Sequence, residues 1–352
     1  MFKIGNKIIS KNNSPFIIAE ISGNHNGDIK NVFKMIDLAA KNGLDAIKLQ
    51  TYTADTITIK SSRPEFLIKD KKNIWKNNSL YELYNKAHTP WSWHKKIFDY
   101  AKKKKIICFS SPFDETAVDF LEELNVPAYK VASFENDHYP LLEKIAKTRK
   151  PVILSTGITD LNDLRKIVKF FKLRKTNFAL LKCTSTYPAD PVKLNLNTIP
   201  DMIKKFKVEV GFSDHTIGIS SSLAAVALGA TIIERHFTLK KNFGIDGKFS
   251  STINDLKEIK IYSEIISKSL GKIQYNGKML DKSSIKFKRS IYTCMEIKKG
   301  EKFTKNNIKI IRPRKGVLPI YFEKLLNKKS PFNLKQGVPI KLNILKKLKI
   351  KK

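Results

Sequence analysis

Residues 208–237, VEVGFSDHTIGISSSLAAVALGATIIERHF, decide the fold because they predict a strand, a helix and a second strand. The first strand runs into His215, an Ala-rich helix follows and ends at Gly229, and the second strand ends near His236. In a βαβ unit both strands point the same way, so both histidines are expected at the same C-terminal edge of one parallel sheet. Two imidazoles at one sheet edge indicate a divalent-metal site. Two unrelated histidines at the starts of loops are the alternative.

The same alternation of apolar strands and amphipathic helices extends over the first 270 residues. Runs such as FIIAEI, PVILST and FALLKC are apolar almost throughout, which is typical of strands that are covered on both faces. Eight strands are predicted, at 16–22, 45–51, 106–111, 128–133, 151–157, 178–184, 208–214 and 231–237. With helices between them, these eight β/α units predict a (β/α)₈ TIM barrel over residues 1–270, an α/β fold.

The pattern changes after Gly271. Residues 271–287 are predicted to form a linker, and residues 288–352 a small C-terminal domain with short strands and a short helix. A domain of about 60 residues is marginally stable unless it docks on another surface. Within the barrel, the insert at 60–89 is predicted to form a loop or short helices over the active face.

The composition is that of a globular protein, with 352 residues of which 41% are hydrophobic. No apolar run approaches the roughly 18 residues that a membrane-spanning helix needs, so we predict a cytoplasmic protein. Cys108, Cys183 and Cys294 are scattered and lack metal-ligand spacing, which predicts reduced thiols.

The formal net charge of +35 would ordinarily indicate a nucleic-acid partner. Lysine heavily outnumbers arginine, however, and is spread over the predicted helix faces, which favours solvated lysines that reflect codon bias. We therefore predict no nucleic-acid partner and no membrane partner. A basic nucleic-acid-binding protein is the non-enzyme alternative, and an anionic small-molecule substrate is compatible with the charge.

Polar residues at the C-terminal ends of barrel strands are the ones available to a ligand. Lys48 and Lys130 lie inside otherwise apolar strands, where a lysine is costly unless it is paired with an anion. Hydroxyl donors are predicted around them, at Ser111, Ser133, Ser155 and Ser213. Together these residues predict a pocket for a phosphate or a carboxylate. A strand-end hydroxyl that only satisfies the backbone is the alternative for any single serine.

Two enzyme chemistries suit this set of residues. A lysine in a barrel strand could form a Schiff base with a carbonyl substrate. The two histidines instead favour a metal that acts as a Lewis acid on a carbonyl. A metal with only two protein nitrogens keeps positions open for water and substrate oxygens, which fits a catalytic site better than a structural one.

Motifs at the predicted strand ends run through the barrel in order: AEISGNHNG (19–27), KLQTY (48–52), FSSPFD (109–114), YKVASFE (129–135), ILSTG (153–157), KCTSTYP (182–188), GFSDHT (211–216) and ERHFTL (234–239). The C-terminal part carries RSIY (289–292), KKGEKFT (298–304) and RPRKG (312–316). Together they closely resemble the sialic acid synthase family, whose C-terminal part is an antifreeze-protein-like (SAF) domain. YNKAHTPWSWH (84–94) and the stretch 107–135 are most similar to the pseudaminic acid synthase branch of that family.

The resemblance implies condensation of phosphoenolpyruvate with the open-chain aldehyde of an acetamido sugar, with release of phosphate by C–O cleavage. The implied sugar is 2,4-diacetamido-2,4,6-trideoxy-altrose. A neuraminic or legionaminic acid synthase with the same mechanism is the alternative. The family also implies a domain-swapped homodimer, in which the small domain of one chain covers the barrel of the other.

The resemblance assigns roles residue by residue. It implies that phosphoenolpyruvate is held by Lys48, Ser111, Lys130, Ser133, Ser155 and Ser213. His215 and His236 would bind Mn²⁺ or Mg²⁺ and act in catalysis, with Glu20 handling protons or water. The sugar would be lined by Glu135, Ser185, Tyr187, Asp246 and Arg312.

Three departures from the family pattern bear on the sugar. Position 185 is Ser where the neuraminate branch has Asn, which supports a different sugar. NDHYP (136–140) resembles the neuraminate branch more than the pseudaminic one. Arg314 stands where the family often has Gly, so either Arg312 or Arg314 could be the contacting arginine.

Overall fold

A closed parallel barrel forms the first part of the chain. The computed structural model describes residues 2–69, 74–76, 78–275 and 282–351, and the chain divides into two compact units, Met1–Gly271 and Lys272–Lys352. Among the described residues, eight parallel strands close in the order β10-β3-β4-β5-β6-β7-β8-β9. They are β3 (Phe16–Glu20), β4 (Ala46–Thr51), β5 (Ile107–Pro112), β6 (Tyr129–Val131), β7 (Val152–Ser155), β8 (Phe178–Cys183), β9 (Glu209–Asp214) and β10 (Ile232–His236). The predicted TIM barrel is therefore confirmed.

Helices follow the strands and cover the outside of the barrel. They are α1 (Ile29–Lys41), α2 (Ala54–Ile57), α3 (Leu80–Ala87), α4 (Trp91–Lys103), α5 (Glu115–Glu123), α6 (Tyr139–Lys147), α7 (Leu161–Leu173), α8 (Thr198–Phe206), α9 (Ser220–Ala227) and α10 (Ile253–Leu270). Helix α1 starts where the carboxylate of Asp28 accepts a hydrogen bond from the Lys30 amide, and it buries Val32, Met35, Ile36 and Ala39. Strand residues facing these helices form the larger core cluster. Apolar strands are needed because both of their faces are covered.

A short N-terminal hairpin closes one end of the barrel. Strands β1 (Phe2–Ile4) and β2 (Lys7–Ile9) pair antiparallel, and the sequence analysis did not predict them. Phe2, Ile4 and Ile9 are buried in one cluster with inward-facing residues of the barrel strands, such as Ile18 and Phe109. The amino-terminal end of the barrel is therefore filled by apolar side chains.

The insert at 60–89 contains a short helix, as expected, although residues 70–73 and 77 lie outside the described part. Helix α3 begins at a capping box in which Ser79 and Glu82 bond each other's backbone amides. The indole Nε1 of Trp75 donates a hydrogen bond to the carbonyl of Ile245, 3.2 Å away. The insert thus contacts the loop after β10.

The second unit has its own small core. Strands β11 (Ser290–Thr293) and β12 (Ile308–Ile311) pair antiparallel, and the helices are α11 (Lys282–Ile285), α12 (Phe322–Leu325) and α13 (Leu342–Lys347). Ile291, Phe303, Ile308 and Leu325 are among its buried residues. Part of the predicted linker, residues 276–281, lies outside the described residues.

All three cysteines are free thiols, and Cys108 and Cys183 are buried in barrel strands. Among the residues that the structure describes, none of the helices is both long enough and apolar enough to cross a membrane.

Candidate active site

The carboxyl ends of the barrel strands bring the predicted polar residues to one end of the molecule. Strand register places Glu20 beside Lys48 on one side and beside His236 on the other. It also places Ser213 beside Glu234 on strands β9 and β10. The register therefore brings Glu20, Lys48, Ser213, Glu234 and His236 to the same end of the barrel.

Lys48 is buried at the wall formed by β3, β4 and β5. Its ammonium group contacts the carboxylate of Glu20 and donates a hydrogen bond to Ser111 Oγ at 3.2 Å. Burial lowers the pKa of Lys48 to about 7, although the nearby charge of Glu234 opposes the shift. Glu20 Oε1 also accepts a hydrogen bond from the Ser22 amide at 2.8 Å, which fixes the carboxylate against the lysine.

Lys130 occupies the next wall of the same site. Its Nζ donates to Ser155 Oγ at 2.7 Å and to the carbonyl of Val131 at 3.0 Å. Ser133 Oγ accepts a hydrogen bond from the amide of Gly157 at 3.2 Å. A Cβ at position 157 would meet the hydroxyls of both Ser133 and Ser185, so glycine is needed there for the two serines to approach the loop.

Glu234 is a buried carboxylate between the two lysines. Its oxygens lie 3.9 Å from Lys48 Nζ and 3.7 Å from Lys130 Nζ, and Ser213 donates a hydrogen bond to it at 3.2 Å. Burial alone would raise the pKa of Glu234, but the positive charges of Lys130 and Lys48 outweigh burial and lower it. Among the described residues, its Oε2 has no hydrogen-bond partner. The sequence analysis assigned no role to Glu234, and the only signal for it was its place at a strand end.

Glu135 is a second carboxyl group near the lysines. Burial raises its pKa to about 7, while the charge of Lys130 works against the shift. Its Oε2 is buried and lacks a hydrogen-bond partner within the described part of the chain. A carboxyl with a pKa near neutrality can either give or take a proton, so this environment suits acid–base chemistry.

The two histidines meet as predicted, with ring centroids 5.4 Å apart. His215 donates from Nδ1 to the carbonyl of Thr184 at 3.2 Å. The Ser22 hydroxyl donates to Asp246 at 2.5 Å, so His236 Nδ1, 3.2 Å from Ser22 Oγ, acts as the donor in that contact. Both rings therefore keep Nε2 as the nitrogen with an available lone pair. Burial lowers the pKa of His215 well below its usual value, and His236 adds to this, so the His215 ring is neutral.

These two nitrogens fit a metal that takes its other ligands from water and substrate. Each imidazole has its Nδ1 fixed by a hydrogen bond, which is how proteins orient histidine ligands. Within residues 2–69, 74–76, 78–275 and 282–351, no group of three or more His, Cys, Asp or Glu side chains could by itself hold a metal ion. The donor set therefore suits an open site rather than a closed structural one.

The predicted sugar-side residues divide between the two units. Tyr187 packs against His215, with ring centroids 4.3 Å apart, and Asp246 lies 3.5 Å from His236 Nδ1. Ser185 lies near Cys183, with 3.7 Å between Oγ and Sγ. Arg312 belongs to the second unit, where it lines a cavity of about 550 Å³ with Arg314 and Arg289. Its role at the active site stays a prediction.

Two aromatic residues and an ion pair were missed by the sequence analysis. The phenols of Tyr52 and Tyr84 pack edge to face, with ring centroids 5.8 Å apart. Burial raises the pKa of both, and the charge of Asp246 adds to the shift of Tyr52 while that of Glu135 adds to the shift of Tyr84. Asp214 and Arg235 form a buried ion pair directly beside the histidines.

Comparisons with known proteins identify the family of this chain. Residues 35–275 match the NeuB family, and residues 288–345 match the SAF domain. The chain is 43% identical to pseudaminic acid synthase of Campylobacter jejuni, over 93% of this chain and 95% of that protein. It is 39% identical to pseudaminic acid synthase of Helicobacter pylori, over 93% of this chain and 96% of that protein.

A solved structure leads to the same family. The crystal structure of N-acetylneuraminic acid synthetase from Leptospira borgpetersenii superposes with a TM-score of 0.71 at 32% identity, covering 80% of this chain and 94% of that one. The resemblance to the sialic acid synthases drawn from the motifs is thereby confirmed. The chain belongs to the NeuB family and carries a SAF domain after its barrel.

Proposed function

We propose that this protein is a transferase that condenses phosphoenolpyruvate with 2,4-diacetamido-2,4,6-trideoxy-altrose to give pseudaminic acid and phosphate. The observation that carries the proposal is the pair of buried lysines, Lys48 and Lys130, flanked by serine hydroxyls and adjacent to the two histidines. The similarity to relatives named pseudaminic acid synthase supports this sugar. The proposal places the enzyme in the cytoplasm, where phosphoenolpyruvate is available.

Phosphoenolpyruvate would bind at the lysines through its anionic groups. Lys48 and Lys130 would supply positive charge, and Ser111, Ser133, Ser155 and Ser213 would donate hydrogen bonds to phosphate or carboxylate oxygens. Both lysines are buried, so an anion would meet them in a medium where their attraction is stronger than in water. In the protein without a ligand, the carboxylates of Glu20 and Glu234 lie next to the two ammonium groups. A bound anion would compete with these carboxylates.

The reaction forms one C–C bond and breaks one C–O bond. C3 of phosphoenolpyruvate attacks the aldehyde carbon, whose oxygen takes up a proton, and water adds at C2 with loss of a proton. The tetrahedral product then releases phosphate from C2. We propose that Glu20, fixed by Lys48 and the Ser22 amide, handles the proton of the water. Glu135, with its pKa of about 7, is suited to exchange protons on the sugar side.

In this proposal the two histidines are the metal ligands. Members of this family are generally metal-dependent. His215 and His236 would hold Mn²⁺ or Mg²⁺ through Nε2, and a bound metal would supply Lewis-acid polarisation of the aldehyde. The remaining contribution of the chain is to orient both rings, through Thr184 and Ser22.

We further propose that the enzyme works as a domain-swapped homodimer, with Arg312 of one chain reaching the sugar in the other. Apolar side chains exposed after three barrel strands support a covering partner. Phe134, Ile158 and Ile217 are 59%, 73% and 74% exposed, each in the loop that follows a strand end. A partner surface over this face would remove them from water.

Two alternatives have a specific observation in their favour. NDHYP (136–140) favours a neuraminic or legionaminic acid synthase, but its Asn136 is buried and donates to the carbonyls of Ser155 and Gly157, which is a structural role. The lowered pKa of Lys48 is a property that Schiff-base lysines share. Borohydride trapping and activity in EDTA would support that Schiff base, and we expect neither.

The proposal is tested by incubating the protein with phosphoenolpyruvate, Mn²⁺ and each candidate sugar while measuring phosphate. We expect phosphate with the diacetamido-trideoxy-altrose and much less with N-acetylmannosamine or the legionaminic acid precursor. Phosphate released only with N-acetylmannosamine would show that the sugar is wrong. Absence of phosphate with every sugar would contradict the reaction itself.

A further inference from the structure

Behind the two histidines lies a buried ion pair that no step of the proposed reaction uses. Asp214 precedes His215 and Arg235 precedes His236, and the two residues are register partners on β9 and β10. Because side chains alternate along a strand, they point away from the barrel interior where Ser213 and Glu234 lie. They are nevertheless only 1% and 2% exposed, so two charges are buried against the helical layer.

Each nitrogen of the Arg235 guanidinium donates a hydrogen bond. Nη1 donates to Asp214 Oδ2 at 2.5 Å, Nε donates to Ser251 Oγ at 2.7 Å, and Nη2 donates to the carbonyl of Thr216 at 2.7 Å. Asp214 also accepts hydrogen bonds from the Ser222 hydroxyl at 2.6 Å and from the Thr216 amide at 2.8 Å. The network therefore joins four segments: both histidine strands, helix α9, and the end of the loop that carries Asp246.

A buried ion pair is seldom the most stable solution for a site of this size. Removing two charges from water costs several kcal/mol per ion, and well-packed apolar residues are often as stable or more so. Buried outward positions of other barrel strands hold apolar residues such as Ile47 and Leu154, or uncharged polar residues such as Thr51. The ion pair lies on the two strands that lead into His215 and His236. It therefore points to a requirement for the orientation of these histidines rather than for stability.

Hydrogen bonds also fix the backbone at each histidine. The carbonyl of His236 accepts from the Ser251 amide at 2.8 Å, and Ser251 is the residue whose hydroxyl accepts from Arg235. The carbonyl of His215 accepts from the Ala189 amide at 3.0 Å, while Thr216, the next residue, bonds both Asp214 and Arg235. Each imidazole thus projects from a segment fixed on its outer side by the ion pair.

We propose that Asp214 and Arg235 are positioning residues for the metal site. They set the spacing of the ends of β9 and β10, so that the Nε2 atoms of His215 and His236 converge on one cation. The inference rests on the proposed function, because it takes the two histidines as metal ligands. It adds that the affinity for the cation depends on residues that touch neither the cation nor the substrates.

The test is Mn²⁺ binding to the metal-stripped full-length protein, measured by calorimetry and by the electron paramagnetic resonance signal of free Mn²⁺. In Arg235→Met, which removes the charge and all donors, we expect the Kd for Mn²⁺ to rise about 10- to 100-fold, as for other residues that orient ligands. Arg235→Lys keeps the positive charge but not the planar guanidinium with its several N–H donors. Its Kd for Mn²⁺ should therefore lie between those of Arg235→Met and the wild type. Phosphoenolpyruvate affinity without metal should change much less than Mn²⁺ affinity in both variants, since Lys48 and Lys130 lie on β4 and β6 and only Ser213 of the proposed anion pocket lies on β9.

Lys260→Met is the matched control. It breaks a partly buried pair, in which Lys260 Nζ lies 2.9 Å from the Oδ2 atom of the buried Asp45, at the N-terminal end of the barrel strands. It should lower the melting temperature and leave the Kd for Mn²⁺ unchanged. If Arg235→Met does not fold, Arg235→Lys and Ser251→Ala, which removes the acceptor of Nε, carry the same test with smaller shifts.

The outcomes separate the inference from the proposal on which it rests. Folded Arg235 variants that bind Mn²⁺ as tightly as the wild type, with only a lower melting temperature, would overturn the inference and leave the metal site standing. A wild-type protein that binds Mn²⁺ no better than His236→Ala would overturn both. Weaker Mn²⁺ binding in the Arg235 variants with an unchanged Lys260→Met control would establish the positioning role.

Discussion

The two ends of the barrel are built from opposite kinds of residue. At the amino-terminal end a hairpin inserts Phe2, Ile4 and Ile9 among apolar strand residues, and the buried carboxylate of Asp45 is paired with Lys7 and Lys260. At the carboxyl end, buried lysines and carboxylates face one another, and Glu234 and Glu135 keep oxygen atoms without hydrogen-bond partners among the described residues. The buried carboxylate at the amino-terminal, satisfied end is paired, whereas buried carboxylates at the carboxyl, unsatisfied end keep oxygens without hydrogen-bond partners among the described residues.

The two ends of the same strands therefore have different roles, with stability supported by the amino-terminal end and chemistry by the carboxyl end. Buried polar atoms without partners cost free energy, and in native proteins they concentrate where a ligand completes them. On their inward faces the strands begin with apolar residues, such as Ile18 and Phe109, and carry polar residues towards their carboxyl ends. Changes at the amino-terminal end should alter stability with little effect on chemistry, and changes at the carboxyl end should do the reverse.

The largest expected loss of turnover without loss of stability comes from replacing a metal-site histidine. His236→Ala removes a side chain that is already partly open to solvent and leaves a small cavity, so the fold should persist. Turnover should fall by about a thousandfold or more, because Lewis-acid activation of the aldehyde supplies several kcal/mol of the barrier reduction. Phosphate release measures this loss, while thermal melting and phosphoenolpyruvate binding should stay close to wild type. Full activity in this variant or in His215→Ala would remove the metal site.

The opposite end should respond in the opposite sense. Ile4→Ala empties part of the apolar plug, where Ile4 is fully buried, and should lower the free energy of unfolding by about 2 to 5 kcal/mol. The turnover number measured well below the melting temperature should stay within about twofold, since the strand ends that carry the site are not touched. Denaturant unfolding and phosphate release on the same preparation provide the two readings. A large fall in turnover with unchanged stability would show that the two ends are not independent.

The sequence predicted the unsatisfied end better than the satisfied one. Lys48 and Lys130 stand out because a charged residue inside an apolar strand conflicts with its surroundings, and the structure indeed buries both together. The hairpin of residues 2–9 gives no such signal. Its strands are too short for a clear periodicity, and its apolar residues gain their role only when the barrel closes over them.

The sequence analysis also failed to predict that the outward-facing charge of Arg235 is buried. Arg235 lies between Glu234 and His236 at the end of a strand, as a solvent-exposed charge would, and its partners Asp214, Thr216 and Ser251 come from other segments of the chain. Nothing local in the sequence distinguishes a buried arginine from an exposed one, because its burial depends on tertiary contacts. Glu234 was missed as a site residue for the same reason, since its position between two lysines exists only in the closed barrel.

Glu135 allows the cost of the unsatisfied end to be measured in the protein without substrate. Its pKa is about 7 in the folded chain and 4.5 in a free side chain, so the folded state holds the proton more tightly. The stability from this group is present below pH 4.5 and is lost as the pH rises to about 7. At pH 8, Glu135→Gln should therefore be more stable than the wild type, by about 3 kcal/mol at most. Unfolding curves of both proteins at pH 4 and pH 8 measure the difference, and an equal difference at both values would contradict the shifted pKa.

The smallest expected effect concerns protons taken up when phosphoenolpyruvate binds. Lys48 has a pKa of about 7 because it is buried, and a bound anion would favour its charged form. Binding above pH 7 should then take up a proton, so the Kd for phosphoenolpyruvate should rise with pH by up to about tenfold per unit. Calorimetry in buffers with different ionisation enthalpies measures the proton directly. Ser111→Ala, which loses the hydroxyl bonded to Lys48 but keeps the lysine, should bind more weakly with the same pH slope. A flat Kd without proton uptake would mean that Lys48 is already charged before the anion arrives, and that Glu20 and Glu234 compensate it more completely than its burial suggests.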